Sequence, residues 1–533
     1  MSTRVRAILE SIEAGEPRRK AWGRAVIGKY REMFLVTLCA GLAAYGFIMA
    51  NVLNNQDNIS NTPGGYGAGT VSGRWFLEWL AEFVRNVWGT NTLPVFNGLL
   101  SVVFVALAAC LTVSVLELRA RPSMILTGLL FVTFPSFAMT MLFMFTVGYY
   151  AFALLLTLAG VYAAKNWHGL PGIVAGAACM AFALGIYQAY LPVAAALFLL
   201  ILLRRGCDGQ APVLPILLNG LRFLAVLALG LSLYMLILRL SLSLGREVLN
   251  DYQQIDEMGK ITLSELPAMF AATYRDFLGL PFSERYAINS TPVIRFAFLC
   301  ALLSSAALFA WLEVRGQVRR DAKLLNLLFF ALFPAAAFGI VIMCYHSNIF
   351  GRMVYGAVTA YFLPLVLLEP VREQMPRPGL TVVNGAAAIL SALLFLASVN
   401  YIWQSNENYM VLYYTNRQTE NYFASMVNRI RALPGYRQDL YIAFIGEDIH
   451  DATFYNSVYW HSVHHYGGYT DNSNYLKAGQ SYMSHYMGFH QPTVSDDTAR
   501  ELADTPEVRA MPCYPDDGSI KIVGGYIVVK LED

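Results

Sequence analysis

Charge is what this sequence has least of. Only 14% of its 533 residues are Asp, Glu, Lys or Arg, where a globular chain carries about 25%, and 56% are hydrophobic. Such a balance excludes a chain that water keeps in solution. Cysteine is scarce as well, and its placement excludes a disulfide framework. Cys39, Cys110, Cys179, Cys300 and Cys344 fall in apolar runs, Cys207 in a basic connector, and Cys513 has no partner cysteine in the tail. There is no internal repeat and no low-complexity tract, and paired repeats are what a transporter or flippase tends to show.

What is abundant is long apolar segments. Runs at 33–52, 95–115, 124–142, 146–163, 172–187, 190–203, 213–238, 293–312, 324–344, 354–368 and 381–402 suit the crossing of a hydrocarbon core about 30 Å thick. They predict about eleven transmembrane helices, the sixth and tenth being short. Short basic loops stay in the cytoplasm. The leader carries Arg4, Arg6, Arg18, Arg19, Lys20, Arg24, Lys29 and Arg31, and alternate connectors carry Arg119 and Arg121, Lys165, Arg204 and Arg205, Arg315 to Lys323, and Arg372 and Arg377. The amino terminus is therefore expected inside, and after an odd number of spans the tail from residue 404 lies outside. The net charge of +2 conceals this basic inside and acidic outside, an asymmetry that argues against nucleic acid as a partner.

Polar residues gather in the outward segments. Between 53 and 94, Gln56-Asp57-Asn58 precedes a glycine-rich turn and Ser72-Gly73-Arg74-Trp75. A carboxylate and a guanidinium beside a bilayer are costly unless they serve chemistry. The helix that follows sets Trp75, Phe76, Trp79, Leu80 and Phe83 on one face and Glu78, Glu82 and Arg85 on the other, which predicts an interfacial helix. Its amino-terminal end would offer free N–H groups and the Arg74 cation to an anion. A second outward segment, 241–292, mixes charges with an amphipathic stretch at 263–278. Shorter outward turns hold Tyr149 and Tyr150, Tyr187-Gln188, and His346 followed by Arg352. In the tail, 439–445 reads as a strand, and two β-runs joined by Gly524-Gly525 read as a hairpin.

Gln56-Asp57-Asn58, the Ser-Gly-Arg-Trp of residues 72–75, and Tyr514-Pro515-Asp516-Asp517-Gly518-Ser519-Ile520 with Val528-Val529-Lys530-Leu531 resemble the glucosyltransferase II-type O-antigen-modifying enzymes. Those are bacterial inner-membrane members of the C superfamily of glycosyltransferases (GT-C). The resemblance implies a mainly α, GT-C-like polytopic bundle and transfer of a sugar, typically glucose, from a polyprenyl-phosphate carrier to an oligosaccharide or polysaccharide on the periplasmic side. The apolar runs, basic connectors and strand signals divide the chain into a cytoplasmic basic leader (1–32), a transmembrane domain (33–403) and a small periplasmic α/β domain (404–533). The resemblance also places an acidic residue in the first outward loop, and the matching position is Asp57.

Such a transfer needs a base for the acceptor hydroxyl and cations for the phosphate. Asp57 suits the base, Arg74 and Arg352 the phosphate, since an arginine fork matches phosphate oxygens. One carboxylate acting on one face would invert the anomeric centre. Asn58, Trp75, Tyr149, Tyr187, Gln188 and His346 complete the candidate substrate contacts. Each has a plainer reading: Asp57 as a helix cap, Arg74 as a headgroup contact, Arg352 as a snorkelling anchor, and the aromatics as an interfacial belt. A polymerase or ligase using a diphosphate-linked lipid shares the same logic.

Six of the eight histidines lie between His450 and His490, and His461, His464 and His465 stand at helical spacing, but no carboxylate or cysteine sits at a matching offset. No cofactor is required by the residues. Some relatives in the wider superfamily hold a divalent ion near the loop acid, so Asp57 as a metal ligand stays open.

Overall fold

The computed structural model describes residues 28–209, 211–250, 262–283, 286, 291–446 and 479–532. Helix α1 (Gly28–Asn51) leads through the short α2 (Gln56–Asn61) and α3 (Trp75–Trp88) into α4 (Pro94–Leu116), α5 (Arg121–Thr133), α6 (Pro135–Thr140), α7 (Val147–Asn166), α8 (Leu170–Leu184), α9 (Leu191–Cys207) and α10 (Val213–Gly245). Then come α11 (Leu266–Gly279), α12 (Pro292–Arg315), α13 (Arg320–Ala337), α14 (Ile340–Met343), α15 (Thr359–Gln374) and α16 (Arg377–Arg431). Many begin with proline in the first turn, including α4, α8, α9 and α12, where a missing N–H costs nothing and the fixed φ already suits the helix.

Every one of the eleven apolar runs is helical. Among the described residues, eight helices are long and apolar enough to cross a membrane. The other three runs fall on α8, α13 and α15, which are shorter or more polar. α15 is buried along Thr359–Val371, Glu369 included. Helices wrap it on all sides, so its short length reflects a place inside the bundle. Neighbours meet through small residues. A Cβ on Gly160 of α7 would come within 3.1 Å of Gly176 O in α8, so these two helices approach backbone to backbone.

The basic connectors gather at one end. Arg119 pairs with Glu373 at 2.7 Å, Arg204 with Asp208 at 2.5 Å, Lys165 with Glu117 at 2.5 Å and Arg121 with Glu32, while Gln374 donates to Cys207 O at 2.7 Å. The segments around residues 54, 74, 150, 187 and 352 lie at the other end.

α16 is the longest helix among the described residues. Its 55 residues run unbroken across positions 403 and 404, about 80 Å at 1.5 Å per residue, far beyond the bilayer's ~30 Å. The tail is thus carried on a continuation of the last long helix. There a sheet of order β1-β3-β2 forms from β1 (Ile442–Ile445), β2 (Ile520–Val523) and β3 (Tyr526–Lys530), β1 parallel and β2 antiparallel to β3. The β2–β3 hairpin turns on Gly524 and Gly525, both at positive φ (58° and 84°), as a primed two-residue turn requires. The tail lies at the Asp57 end: Asn54 N donates to Asn416 Oδ1 at 3.2 Å and Asn54 Nδ2 to Tyr486 Oη at 2.6 Å.

Candidate functional site

α2 is held by the two asparagines that flank Gln56-Asp57. Asn55 caps it, accepting from Asn58 N at 2.9 Å. Asn55 Nδ2 and Asn58 Nδ2 both donate to Leu142 O, at 3.0 and 2.8 Å, and Met144 N donates to Asn58 Oδ1 at 3.0 Å. Asn58 is fully buried with its amide engaged in the protein, so it fixes Asp57 against the turn after α6. Asp57 itself is half-buried, and among the described residues its carboxylate has no hydrogen bond or ion pair. Burial raises its pKa, while the fields of Arg352 and Arg74 pull the other way and offset this only in part.

Arg74 follows a tight turn. Gly73 has φ 75°, and a Cβ there would stand 2.5 Å from Tyr234 Oη. Its carbonyl accepts from Gln188 Nε2 and from Tyr234 Oη, each at 3.0 Å. Several of the N–H groups expected to be free at this helix start are engaged. Gly73 N donates to Thr70 O, Arg74 N to Gly69 O, and Phe76 N and Leu77 N to Gly185 O. The loop folds back on itself and on Gly185 at the end of α8, and the guanidinium is the cation it presents. It lies 5.9 Å from the Tyr150 ring and 6.0 Å from the Tyr187 ring, which stack at 4.4 Å. Its Nε is buried and, among the described residues, has no hydrogen-bond partner.

Arg352 sits in a one-turn helix, Gly351–Met353. Its guanidinium lies 4.8 Å from the Phe143 ring and 4.6 Å from Phe350, and its carbonyl accepts from Tyr187 Oη at 3.3 Å. Phe143 belongs to the turn that Asn55 and Asn58 grip. Asp57, Arg74 and Arg352, distant in sequence, thus share one frame made of α2, the 141–146 turn and the Tyr150–Tyr187 pair.

The remaining candidates stand elsewhere in this frame or beside it. Gln188 is a brace for the Gly73 turn. Trp75, expected in an interfacial belt, is fully buried against Phe76 and Phe182, whereas Trp79 and Phe83 on the same helix are exposed. Tyr149 Oη donates to Asn91 Oδ1 at 2.7 Å, and Asn91 in turn holds Gly64 O at 2.9 Å, which ties down the glycine-rich turn. His346 faces Glu265 at 3.4 Å on the second outward segment. Sequence reading gave no role to Phe143 or Tyr234. Both lie in or beside apolar runs, where nothing distinguishes them from packing residues.

The surroundings of Asp57 do not fit a divalent cation. The charges whose fields reach it are two guanidiniums, and among the described residues no group of three or more His, Cys, Asp or Glu could hold a metal ion. His461, His464 and His465 lie outside the described residues.

A family model described as glucosyl transferase GtrII matches residues 46–366, more than half of the chain. The chain belongs to the GtrII family. It is a membrane glycosyltransferase, and Asp57, Arg74, Tyr150, Tyr187 and Arg352 all fall within the GtrII match. No curated protein and no solved structure matches it.

Proposed function

We propose that this chain moves glucose from a polyprenyl-phosphate carrier to an O-antigen or related glycan at the periplasmic face of the bacterial inner membrane. The observation that carries the reading is a half-buried carboxylate, Asp57, unpaired among the described residues and lying within the fields of two guanidiniums, one of which keeps a buried Nε without a partner among those residues. A buried donor without a partner is costly unless a ligand meets it. The donor's phosphate oxygens meet that need.

In this reaction an acceptor hydroxyl attacks glucose C1, its proton passes to Asp57, and the C1–O bond to the phosphate breaks. The leaving polyprenyl phosphate takes the electron pair, and Arg74 and Arg352 stabilise its charge. The raised pKa makes Asp57 a better proton acceptor than an exposed carboxylate. No other carboxylate influences Asp57 among the described residues, which favours inversion in one displacement over a double displacement. The basic end supports a cytoplasmic amino terminus, and the contacts of Asn54 with Asn416 and Tyr486 support a tail on the side of Asp57.

The test is purified enzyme in nanodiscs with a short-chain polyprenyl-phosphate glucose and an O-antigen oligosaccharide. Glucosylated glycan and free polyprenyl monophosphate are expected. Turnover only with a diphosphate-linked donor would favour a polymerase or ligase instead.

A further inference from the structure

A groove of about 230 Å³ opens beside the first outward loop, where α1 ends against α16 and the helix Gly479–Met487. Tyr482 and Tyr486 stack at 4.8 Å, and Tyr486 is 42% exposed while Asn54 holds its hydroxyl. Across from them Arg417 lies 5.4 Å from the Tyr413 ring and pairs with Glu420 at 2.7 Å.

Three features narrow what this groove can hold. Among the described residues its charged lining is Arg417 and Glu420, which cancel, so these residues give no net attraction for an anion such as the donor phosphate. It sets the exposed ring of Tyr486, backed by the buried Tyr482, beside the hydrogen-bonding side chains of Arg417 and Glu420, which matches a sugar ring with an apolar C–H face and a hydroxyl rim. Asn54 lies three residues before Asp57, at most about 10 Å along the chain, so a ligand here is within an oligosaccharide's length of the carboxylate. Tyr413, Arg417, Glu420, Tyr482 and Tyr486 also lie beyond residue 366, where the family match ends. The acceptor is the part of the reaction for which a site outside the shared machinery makes chemical sense.

We propose that this groove is the acceptor subsite, binding an uncharged glycan residue next to the one that receives glucose; this rests on the glucosyl-transfer reading above. The test uses the full-length protein in nanodiscs and a defined O-antigen oligosaccharide. Saturation-transfer NMR should show binding that Tyr486→Ala weakens about tenfold and Tyr486→Phe weakens less, since the ring face is kept. In the transfer assay Tyr486→Ala should raise the acceptor KM by a similar factor with the donor KM unchanged. Arg417→Ala, at an exposed position, carries the same test should Tyr486→Ala fail to fold. Equal binding by wild type and variants, or a rise in donor KM instead, overturns the assignment and makes the groove a lipid-headgroup contact or plain packing. The NMR measurement needs no turnover. Oligosaccharide bound through this groove by a protein that transfers no glucose would overturn the reaction and keep the subsite.

Discussion

The Asn58 side chain donates to Leu142 O at 2.8 Å, joining the helix that carries Asp57 to the turn whose Phe143 lies beneath Arg352. One buried amide thus sets the position of the proposed base relative to the proposed phosphate clamp. Asn58→Ala should take its partner from Met144 N and leave Leu142 O held by Asn55 Nδ2, at a cost of about 1–3 kcal/mol. Asn58→Asp should be worse, because a carboxylate cannot donate to Leu142 O. Thermal unfolding reads the first effect. A fall in kcat larger than the rise in donor KM reads the misplaced base.

Asp57→Asn should lower the transfer rate by about 10²- to 10⁴-fold while leaving the fold intact. The raised pKa makes a further point measurable. Folding disfavours ionised Asp57, so its stabilising contribution is present at low pH and lost as pH rises through the folded-state pKa. The Asn variant, which carries no charge, should therefore be at least as stable as wild type at pH 7. That difference should shrink as pH falls towards the ordinary carboxylate value of about 4. A variant markedly less stable at pH 7 would contradict burial as the dominant influence.

Arg74→Lys and Arg352→Lys keep charge but lose the planar fork, and each should weaken transfer, with Ala costing more. If both grip one phosphate, a double-mutant cycle on the transfer rate should show non-additivity of about 0.5–3 kcal/mol. Strict additivity with small single effects would make them headgroup anchors.

Gly73→Ala should destabilise the protein and reduce activity together, because the new methyl meets Tyr234 Oη and the backbone there sits at φ 75°. Tyr234→Phe removes the oxygen in the way. The double variant should therefore recover part of the lost activity, and no recovery would point to Gln188 Nε2, 2.7 Å from the same methyl, and to the positive φ as the cause.

A reporter fused after Asp533 should give alkaline phosphatase activity, as expected if the tail shares the side of Asp57. Activity confined to a cytoplasmic reporter would overturn the topology and the placement of the proposed reaction.

Much of this protein is legible in its sequence: the eleven helical runs, the basic end, the Gly-Gly hairpin, and Asp57, Arg74 and Arg352 as candidate site residues. These are legible because hydropathy, charge and turn chemistry act over a few residues and leave a local pattern. What the pattern could not contain is which distant group each polar atom finds. Long-range packing sets that Gly185 O takes the N–H groups of Phe76 and Leu77, that Trp75 turns inward while Trp79 stays exposed, and that Phe143 lies beneath Arg352. It also decided that α16 runs on past residue 403 and brings Asn416 to Asn54. Each depends on packing between segments far apart in the chain, where the partner is chosen by geometry that no local spacing records.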